Sequence, residues 1–476
     1  MFQRILQWLR EVITKMLGQS TVKQAMNVDI AISTQMGEAL LLWSQMYENQ
    51  APWLTKDIQS LNLAAAIASE IARAVTIEMK VTIEGSPRAK YLAAQFVLVQ
   101  DKLREQVEKG CAKGGLMMKP FVSGDQVLID FVQADQFYPV AFDASGTITS
   151  CIFSDQRTIG DKFYTRLEFH QMVESEGEGK KVKGCAIRNL AFRSNSRDSL
   201  GQQIALSEVP ALANLEPEAT ITNIEKPLYA YFKYPLANNI DATSPLGVSC
   251  YSRARDQIED ADRLWSNLLW EFESGKRAIY VDALAFDKDA EDKRILPDKR
   301  LYRTLNMSGN ADDEDLFEEW SPEFREASIK SGLDTILKKV EYNCGLAGGT
   351  LSDPLSMEKT ATELKMSKQR SYATITDTQK ALRDALEQLL WAMDTWCTIA
   401  KLAPMGSYTV VYDFDDSVVT DKDLQFQQDM RLVTSGLMSK WEFRMRNFEE
   451  DEKTAKQKIA DVQVENPPVE FPVGGA

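Results

Sequence analysis

Side chains that usually carry enzymatic or metal chemistry are sparse in this sequence. His170 is the single histidine among 476 residues. Catalysis by a Ser-His-Asp or Cys-His arrangement would therefore depend on that one base, and a multi-histidine metal site is excluded. The six cysteines contain no C-x-x-C pair, so neither a zinc ribbon nor a dithiol redox motif is predicted. Their wide spacing in an acidic chain instead predicts reduced, mostly buried thiols of a cytosolic product: Cys111, Cys151, Cys185, Cys250, Cys344 and Cys397.

The glycine-rich segment 345–350 superficially resembles a phosphate-binding loop. It lacks the GxxxxGK[ST] pattern, which is absent from the rest of the chain as well. Without that lysine and hydroxyl, nothing would hold the terminal phosphates and a magnesium ion. The segment is therefore predicted to be a flexible loop and not a nucleotide site.

Two groups of acidic residues could bind cations or partners. Asp413, Asp415, Asp416, Asp421 and Asp423 lack the glycine and the bidentate acid of an EF-hand. We interpret them as strand-end and helix N-cap acids.

The second group has two open interpretations, a solvated face at a helix N-terminus or a docking surface for a basic partner. Its members are Asp312, Asp313, Glu314, Asp315, Glu318, Glu319 and Glu323. No acid/base pair is specific enough to name, so no catalytic residue, metal or cofactor is predicted.

The periodicity of apolar residues changes twice along the chain. Steps of three and four predict helices over residues 31–47, 61–76 and 88–108. After Gly114-Gly115, short alternating segments predict strands up to about residue 235, with a charged hairpin tip at 174–183. Helical periodicity returns at Ser252. We therefore expect an α+β, mainly helical fold.

Two helices of similar length are predicted to flank a charged insert of roughly forty residues. The first, over 252–275, has a one-sided stripe that includes Ile258, Trp265, Leu268 and Phe272. The second is predicted to begin at Ser321-Pro322, a favourable N-cap followed by a favourable first residue. This pattern predicts a stalk that carries a small exposed head.

A very long helix is predicted after the glycine-rich segment. Thr360 and Glu363 have the spacing of a capping box, and neither glycine nor proline occurs from there to Leu402. At 1.5 Å per residue this helix would be about 60 Å long. A strand over 408–414, short helices over 423–434 and 439–447, and a loose tail over 462–476 are predicted to follow.

The first seventeen residues form an amphipathic pattern interrupted by Arg4, Arg10 and Lys15. No small-residue cleavage site follows, so no signal peptide is predicted, and the segment is too short and too charged to cross a bilayer. We expect it to pack on its own protein or on a neighbour; an interfacial membrane helix is the alternative.

The net charge of −15, from 55 basic and 70 acidic residues, argues against a protein that grips phosphate backbones with a basic face. It does not exclude a protein that stays beside DNA without adhering to it.

The order of these parts resembles the bacteriophage portal protein family, in particular the branch of tailed phages of Gram-positive hosts. Each matching motif is weak alone, but they occur in collinear order. They are GGLMMKP at 114–120, ADQFYP at 134–139, YFKYPLANN at 231–239, SPLGVS at 244–249, CGLAGGT at 344–350 and TATE at 360–363.

The resemblance implies a portal-type fold with a wing, a stem helix pair, a clip, a tunnel loop, a long helix and a crown. The implied segments are 1–250 (wing), 251–275 and 321–342 (stem helices), 276–320 (clip), 343–359 (tunnel loop), 360–402 (long wing helix) and 403–476 (return strand, crown and tail).

The resemblance further implies a non-enzymatic ring, usually of twelve copies, at one capsid vertex of a siphovirus. It would be assembled in the host cytoplasm and become part of the virion. Double-stranded DNA would pass through it during packaging and ejection, without sequence specificity. The expected partners are further copies of the chain, terminase, a neck adaptor protein, and the major capsid and scaffolding proteins; no membrane is expected.

Specific residues take roles only through this resemblance. The tunnel loop would face DNA with Gly345, Leu346, Ala347, Gly348, Gly349, Thr350 and Leu351. The clip would dock partners with Asp312, Asp313, Glu314 and Asp315, and the stripe from Ile258 to Phe272 would pack subunits. The alternatives are a helical protein-binding scaffold with no DNA role and an enzyme with carboxylates outside any known motif.

Overall fold

The computed structural model describes residues 20–77, 79–177, 180–275, 278–282, 302–305, 317–320, 323–353, 361–414, 422–448 and 450–465. The chain divides into two compact units, Met1–Tyr412 and Asp413–Ala476. The first seventeen residues and the acids from 312 to 315 therefore lie outside the described residues. No helix in the described part of the chain is long and apolar enough to cross a membrane.

Six helices form the α-helical part of the first unit as it is described, after a short helical segment at 20–26. They are α1 (Thr34–Tyr47), α2 (Leu63–Thr76), α3 (Pro87–Lys113), α4 (Arg255–Ser274), α5 (Glu326–Cys344) and α6 (Ala361–Ile399). All six were predicted from the sequence, and side-chain caps are described at the starts of α1 and α3. The Ser86 hydroxyl caps α3 by accepting a hydrogen bond from the Ala89 backbone N–H at 3.2 Å, with Pro87 at the first helical position.

The strands are mostly antiparallel and form four sheets among the described residues. Their bounds are β1 Met79–Glu84, β2 Gly115–Ser123, β3 Gln126–Gln133, β4 Phe137–Phe142, β5 Ile148–Ile159, β6 Lys162–Gly177, β7 Lys180–Ser194, β8 Gln202–Ile204, β9 Glu218–Thr222, β10 Ala230–Lys233, β11 Ala278–Asp282, β12 Tyr302–Leu305, β13 Phe317–Trp320 and β14 Thr409–Phe414.

The sheets explain the β-rich middle of the sequence. One sheet has the order β10-β2-β3, and a second has the order β4-β5-β6-β7-β8 with β9 added on β7. β6 and β7 pair from Phe163–Ser194 to Gly177–Lys180, so the charged stretch predicted as a hairpin tip does lie at the end of this hairpin. Gly114 makes the turn from α3 into β2 with φ +85°, where a Cβ would lie 2.6 Å from the Gly247 carbonyl oxygen.

The core of the first unit lies where α3 and α6 pack on β2 and β3. Along α6, Leu382, Leu386, Leu389 and Met393 recur at steps of three and four residues, and each is fully inaccessible to solvent. The apolar face of this long helix therefore fixes it to the sheet, as the periodicity predicts.

The insert between α4 and α5 contains a small sheet of order β12-β11-β13. β11 is parallel to β12 and antiparallel to β13. The insert was predicted to be a small exposed head, and its described residues form these three strands.

The predicted start of α5 at Ser321-Pro322 is wrong. The helix begins at Glu326, and residues 323–325 are not helical. Glu271 at the end of α4 accepts hydrogen bonds from the Arg325 backbone N–H at 3.0 Å and from its guanidinium at 2.8 Å. This contact holds Arg325 beside α4, so the helix starts only after it.

The second unit consists of α7 (Lys422–Thr434), α8 (Lys440–Phe448) and α9 (Glu452–Glu465) in its described part. The tail predicted to start at 462 is wrong for its first four residues, which belong to α9. This helix lacks a clear apolar stripe; instead, Glu450 just before it binds Arg444 at 2.8 Å and also Lys458. Ion pairs of this kind are invisible to hydrophobic periodicity.

Candidate functional site at the end of α5

The predicted tunnel loop starts in the last turn of α5, and the structure describes it as far as Asp353. Gly345 ends α5 in the left-handed region with φ +71°, and a Cβ there would clash with the Thr374 hydroxyl of α6. The Thr374 hydroxyl also donates a hydrogen bond to the Gly345 carbonyl oxygen at 3.1 Å. A glycine is therefore required at this position by both backbone conformation and space.

The following residues wrap around one buried carboxylate, that of Glu341 on α5. Its side chain accepts hydrogen bonds from the backbone N–H groups of Gly349 at 3.1 Å, Leu351 at 2.6 Å and Ser352 at 2.8 Å. The Ser352 hydroxyl donates to the same carboxylate at 3.0 Å. The backbone of this glycine-rich loop thus forms an anion-binding nest, and the anion it holds is the chain's own.

Neighbouring residues connect the loop to two more helices. The Asn343 side-chain amide donates to the Gln257 side-chain oxygen at 2.9 Å and to the Arg253 carbonyl at 3.2 Å, at the start of α4. The Arg370 guanidinium of α6 lies 3.7 Å from the centre of the Tyr342 ring. A hydrogen bond from Arg370, together with its charge, lowers the pKa of the Tyr342 hydroxyl. Helices α4, α5 and α6 therefore meet at the root of the loop.

The predicted DNA-facing residues differ in exposure. Leu346 is buried and Thr350 is exposed, while Gly345, Ala347, Gly348, Gly349 and Leu351 are partly exposed. Gly349 adopts φ +92°. Glu341 was not singled out from the sequence, because a glutamate eight to eleven residues before its partners carries no local motif.

The apolar stripe on α4 that was predicted to pack subunits is partly buried within the chain and partly exposed. Ile258 and Leu268 are buried within the chain, Trp265 is half-buried, and Phe272 is 40% exposed. Trp270, which does not lie on the stripe, is 65% exposed. Phe324 is 48% exposed and lies 5.7 Å from Phe272 between ring centres. Three exposed aromatic side chains, Trp270, Phe272 and Phe324, thus lie near the end of α4. Phe272 and Phe324 pack together, whereas Trp270 lies two residues before Phe272 and so on a different side of the helix.

The other half of α4 is fixed by buried polar contacts. The Asp262 carboxylate accepts hydrogen bonds from the Trp53 indole N–H at 2.9 Å and from the Leu61 backbone N–H at 2.7 Å. The Gln59 backbone N–H donates to the Ser266 hydroxyl at 2.8 Å. Burial raises the pKa of Asp262, although these hydrogen bonds oppose the shift.

His170 belongs to a buried cluster of charged side chains in the sheets. Its Nε2 lies 2.8 Å from Glu168, which also pairs with Lys119 at 2.5 Å and with Arg166. Burial, together with the charge of Arg166, lowers the pKa of Lys119 to about 8. Each of these side chains contacts another member of the cluster, although the buried Nδ1 of His170 has no hydrogen-bond partner among the described residues. These contacts give His170 a structural role.

The thiols are buried at all six cysteines, which confirms the prediction of mostly buried thiols. Burial raises the pKa of the Cys185 and Cys344 thiols to about 12. Thiols with such pKa values are poor nucleophiles near neutral pH. Within the described residues, no group of three or more His, Cys, Asp or Glu side chains is placed to hold a metal ion.

A cleft of about 860 Å³ lies between the ends of the β-hairpins and α6. Its lining mixes acids with bases, among them Glu174, Asp384, Lys183, Lys226 and Lys233. The Lys233 ammonium donates to the Pro245 carbonyl oxygen at 2.9 Å. None of the predicted site residues lines this cleft.

No curated protein matches the sequence. A solved structure, "Neck of native GTA particle computed with C12 symmetry", has a TM-score of 0.34 and 11% identity, and the match covers 80% of this chain and 92% of that one. Residues 89–466 match the family described as "Phage portal protein, SPP1 Gp6-like". Because this match spans well over half of the chain, the protein belongs to the SPP1 Gp6-like family of phage portal proteins.

Proposed function

We propose that the protein is the portal subunit of a tailed phage. In this proposal it forms a closed ring, of twelve copies by resemblance, at one vertex of the capsid. DNA enters through the ring during packaging and leaves through it during ejection. The family match over residues 89–466 is the observation that carries the proposal.

The stem surface supports assembly into a ring. A head-to-tail interface that closes on itself needs two different faces on each subunit. Trp270 and the Phe272–Phe324 pair expose aromatic side chains on different sides of α4 near its end, and aromatic side chains are enriched in interfaces. We therefore assign these side chains to contacts between subunits.

The insert between α4 and α5 is proposed as the clip, which docks terminase and later the neck adaptor. The small sheet of β11, β12 and β13 provides its described framework. Reversing Asp312, Asp313, Glu314 and Asp315 to lysine should leave rings intact and weaken the binding of one or both partners. If packaging and adaptor affinity were both unchanged, these acids would form a solvated face and not a docking surface.

The loop after α5 is proposed as the element that faces DNA. Between Gly345 and Thr350 it carries no charged side chain, so contact with DNA would depend on shape and not on ion pairing. A charge of −15 per subunit would likewise oppose tight binding of phosphates to the ring.

The test is the assembly state of the purified full-length protein. Mass measurement over a range of concentrations, combined with negative-stain imaging, should show closed rings with a central channel wide enough for a DNA duplex. A stable monomer at micromolar concentration, together with the absence of rings from purified virions, would contradict the portal role. That result would favour the helical scaffold with no DNA role.

A further inference from the structure

The position of the Glu341 carboxylate is unfavourable when the helix is considered alone. Glu341 lies in the last turn of α5 and is only 1% exposed. A helix C-terminus carries partial negative charge, so a buried carboxylate there is repelled by the backbone. A buried charge is tolerated only where hydrogen bonds replace its hydration.

The loop supplies those hydrogen bonds. Three backbone N–H groups and the Ser352 hydroxyl converge on the Glu341 side chain, and the Gly349 N–H lies within 3.2 Å of both carboxylate oxygens. Hydrogen bonds to an ionised acceptor are stronger than those between neutral groups. The contact is also reciprocal, because a loop that moved away would leave both the buried charge and its own N–H groups unpaired.

We propose that Glu341 is a latch that fixes the loop, from Gly345 to Ser352, against α5. The loop is then either seated on the carboxylate or released from it, since a partial withdrawal breaks charged hydrogen bonds without replacing them. In its functional part the inference rests on the proposed portal role. Glu341 acts there as a positioning residue, which sets where the DNA-facing loop leaves the stem.

The contacts beside the latch extend its effect to other helices. Asn343 binds the start of α4, and Thr374 of α6 binds the carbonyl oxygen of Gly345. Displacement of α5 relative to either helix would therefore move the carboxylate with respect to the loop. The latch thus provides a route by which the stem controls the loop.

Hydrogen exchange of the full-length protein tests the latch directly. In Glu341→Gln the side chain keeps its size but loses its charge and one of its two acceptor oxygens, which is replaced by an N–H₂ group that cannot accept from the loop. The amides of Gly349, Leu351 and Ser352 should then exchange about 10- to 100-fold faster than in the parent. Glu326→Gln, at a partly exposed position in the first turn of the same helix, is the matched control and should leave these amides unchanged. Parental exchange at all three amides in Glu341→Gln would overturn the proposal.

A milder substitution keeps the proposal testable if Glu341→Gln does not fold. Ser352→Ala removes only the hydroxyl that donates to Glu341 and keeps the three backbone donors. It should accelerate exchange at Gly349 and Leu351 by a few-fold, in the same direction as Glu341→Gln. If Ser352→Ala leaves both amides at parental rates, the latch is excluded even where Glu341→Gln does not fold.

A packaging assay tests the functional part. Rings of Glu341→Gln and Glu326→Gln should form alike, while only Glu341→Gln should change the rate of DNA packaging into assembled capsids. Parental packaging by a variant whose loop amides do exchange faster would overturn the positioning role. If the parent protein forms no rings at all, the proposed portal role fails, whereas the exchange result still decides whether the latch exists.

Discussion

At the scale of single residues, the described interior contains a cluster of charged side chains that pair with one another. Glu168 on β6 neutralises Lys119 on β2 and binds His170, and the rings of Phe153 and Tyr229 lie against the imidazole with centres 5.4 and 5.9 Å away. Breaking such a network by removing one partner is costly, because an uncompensated charge stays buried. The cluster therefore joins two sheets through one set of contacts.

The protonation of His170 leads to a prediction about pH. Burial, followed by the positive charges of Lys119 and Arg166, holds its pKa well below the ordinary value of 6.5. Glu168 favours the imidazolium form, but it is shared with those two cations, so we expect a neutral imidazole in the folded protein. The unfolded chain takes up a proton below about pH 6.5, so stability is lost as the pH falls through that value.

Replacement of His170 isolates this effect, since the chain has no other histidine. Between about pH 7.5 and 5.5 the parent should lose about 1.4 kcal/mol more unfolding free energy than His170→Gln. Denaturant titrations at both pH values measure the difference, and all other titrating groups are common to the two proteins. Equal pH dependence of parent and variant would show that folding does not shift the pKa of the imidazole, and the expectation of a lowered pKa would be wrong.

Asp262 leads to a prediction about stability. Asp262→Ala leaves the Trp53 indole and the Leu61 backbone N–H without their acceptor, which should cost about 2–4 kcal/mol of unfolding free energy. Asp260→Ala, two residues earlier and exposed, should change it by less than about 0.5 kcal/mol. Denaturant unfolding compares the two variants. Equal effects would mean that Asp262 does not anchor α4.

At the scale of elements, the sequence predicts helices and strands that carry a repeating apolar pattern. It does not predict contacts between residues that are far apart in the chain. The stripe on α6 and the alternation of β2 and β3 identify these elements because one face of each is buried. In contrast, Asp262 binds a tryptophan 209 residues away, and no spacing rule connects them. Glu341 is closer to its partners, but those are backbone groups whose positions depend on a folded loop. The helix α9 was not predicted because ion pairs stabilise it and no apolar stripe marks it in the sequence.

The exposed end of α4 gives a prediction about assembly. Trp270→Ala removes the most exposed of its three aromatic side chains and should weaken subunit association by about 2 kcal/mol, or roughly 30-fold. The unfolding of the single subunit should stay unchanged, because Trp270 is not part of the core. Sedimentation against concentration measures the association.

Two substitutions on the same helix serve as controls for that experiment. Asn267→Ala, also exposed, should change neither association nor stability. Leu268→Ala, at a position only 4% exposed, should instead destabilise the subunit by about 2–5 kcal/mol. If Trp270→Ala assembles like the parent, the aromatic group at the end of α4 does not contribute to the subunit interface.

At the scale of the whole molecule, the chain combines an acidic net charge with a loop that has no basic side chain between Gly345 and Thr350. Each lysine or arginine that neutralises a phosphate releases counterions and adds salt-dependent affinity for DNA. A ring through which DNA moves has to avoid such affinity along its channel. The proposed function therefore requires a loop without positively charged side chains. This requirement can be tested without changing the subunit interface.

Ala347→Lys adds one positive charge per subunit to the loop. Ala347 is partly exposed, and the backbone hydrogen bonds to Glu341 come from Gly349, Leu351 and Ser352, so a lysine at 347 can extend into solvent while the latch stays in place. DNA packaging into assembled capsids should become slower and more dependent on salt, since each new phosphate contact adds about 0.9 to the slope of log affinity against log salt. Ala213→Lys adds the same charge at an exposed position of the first unit and should package at the parental rate. If both lysine variants behave like the parent at every salt concentration, DNA does not pass close to this loop, and the latch at Glu341 serves only the stability of the fold.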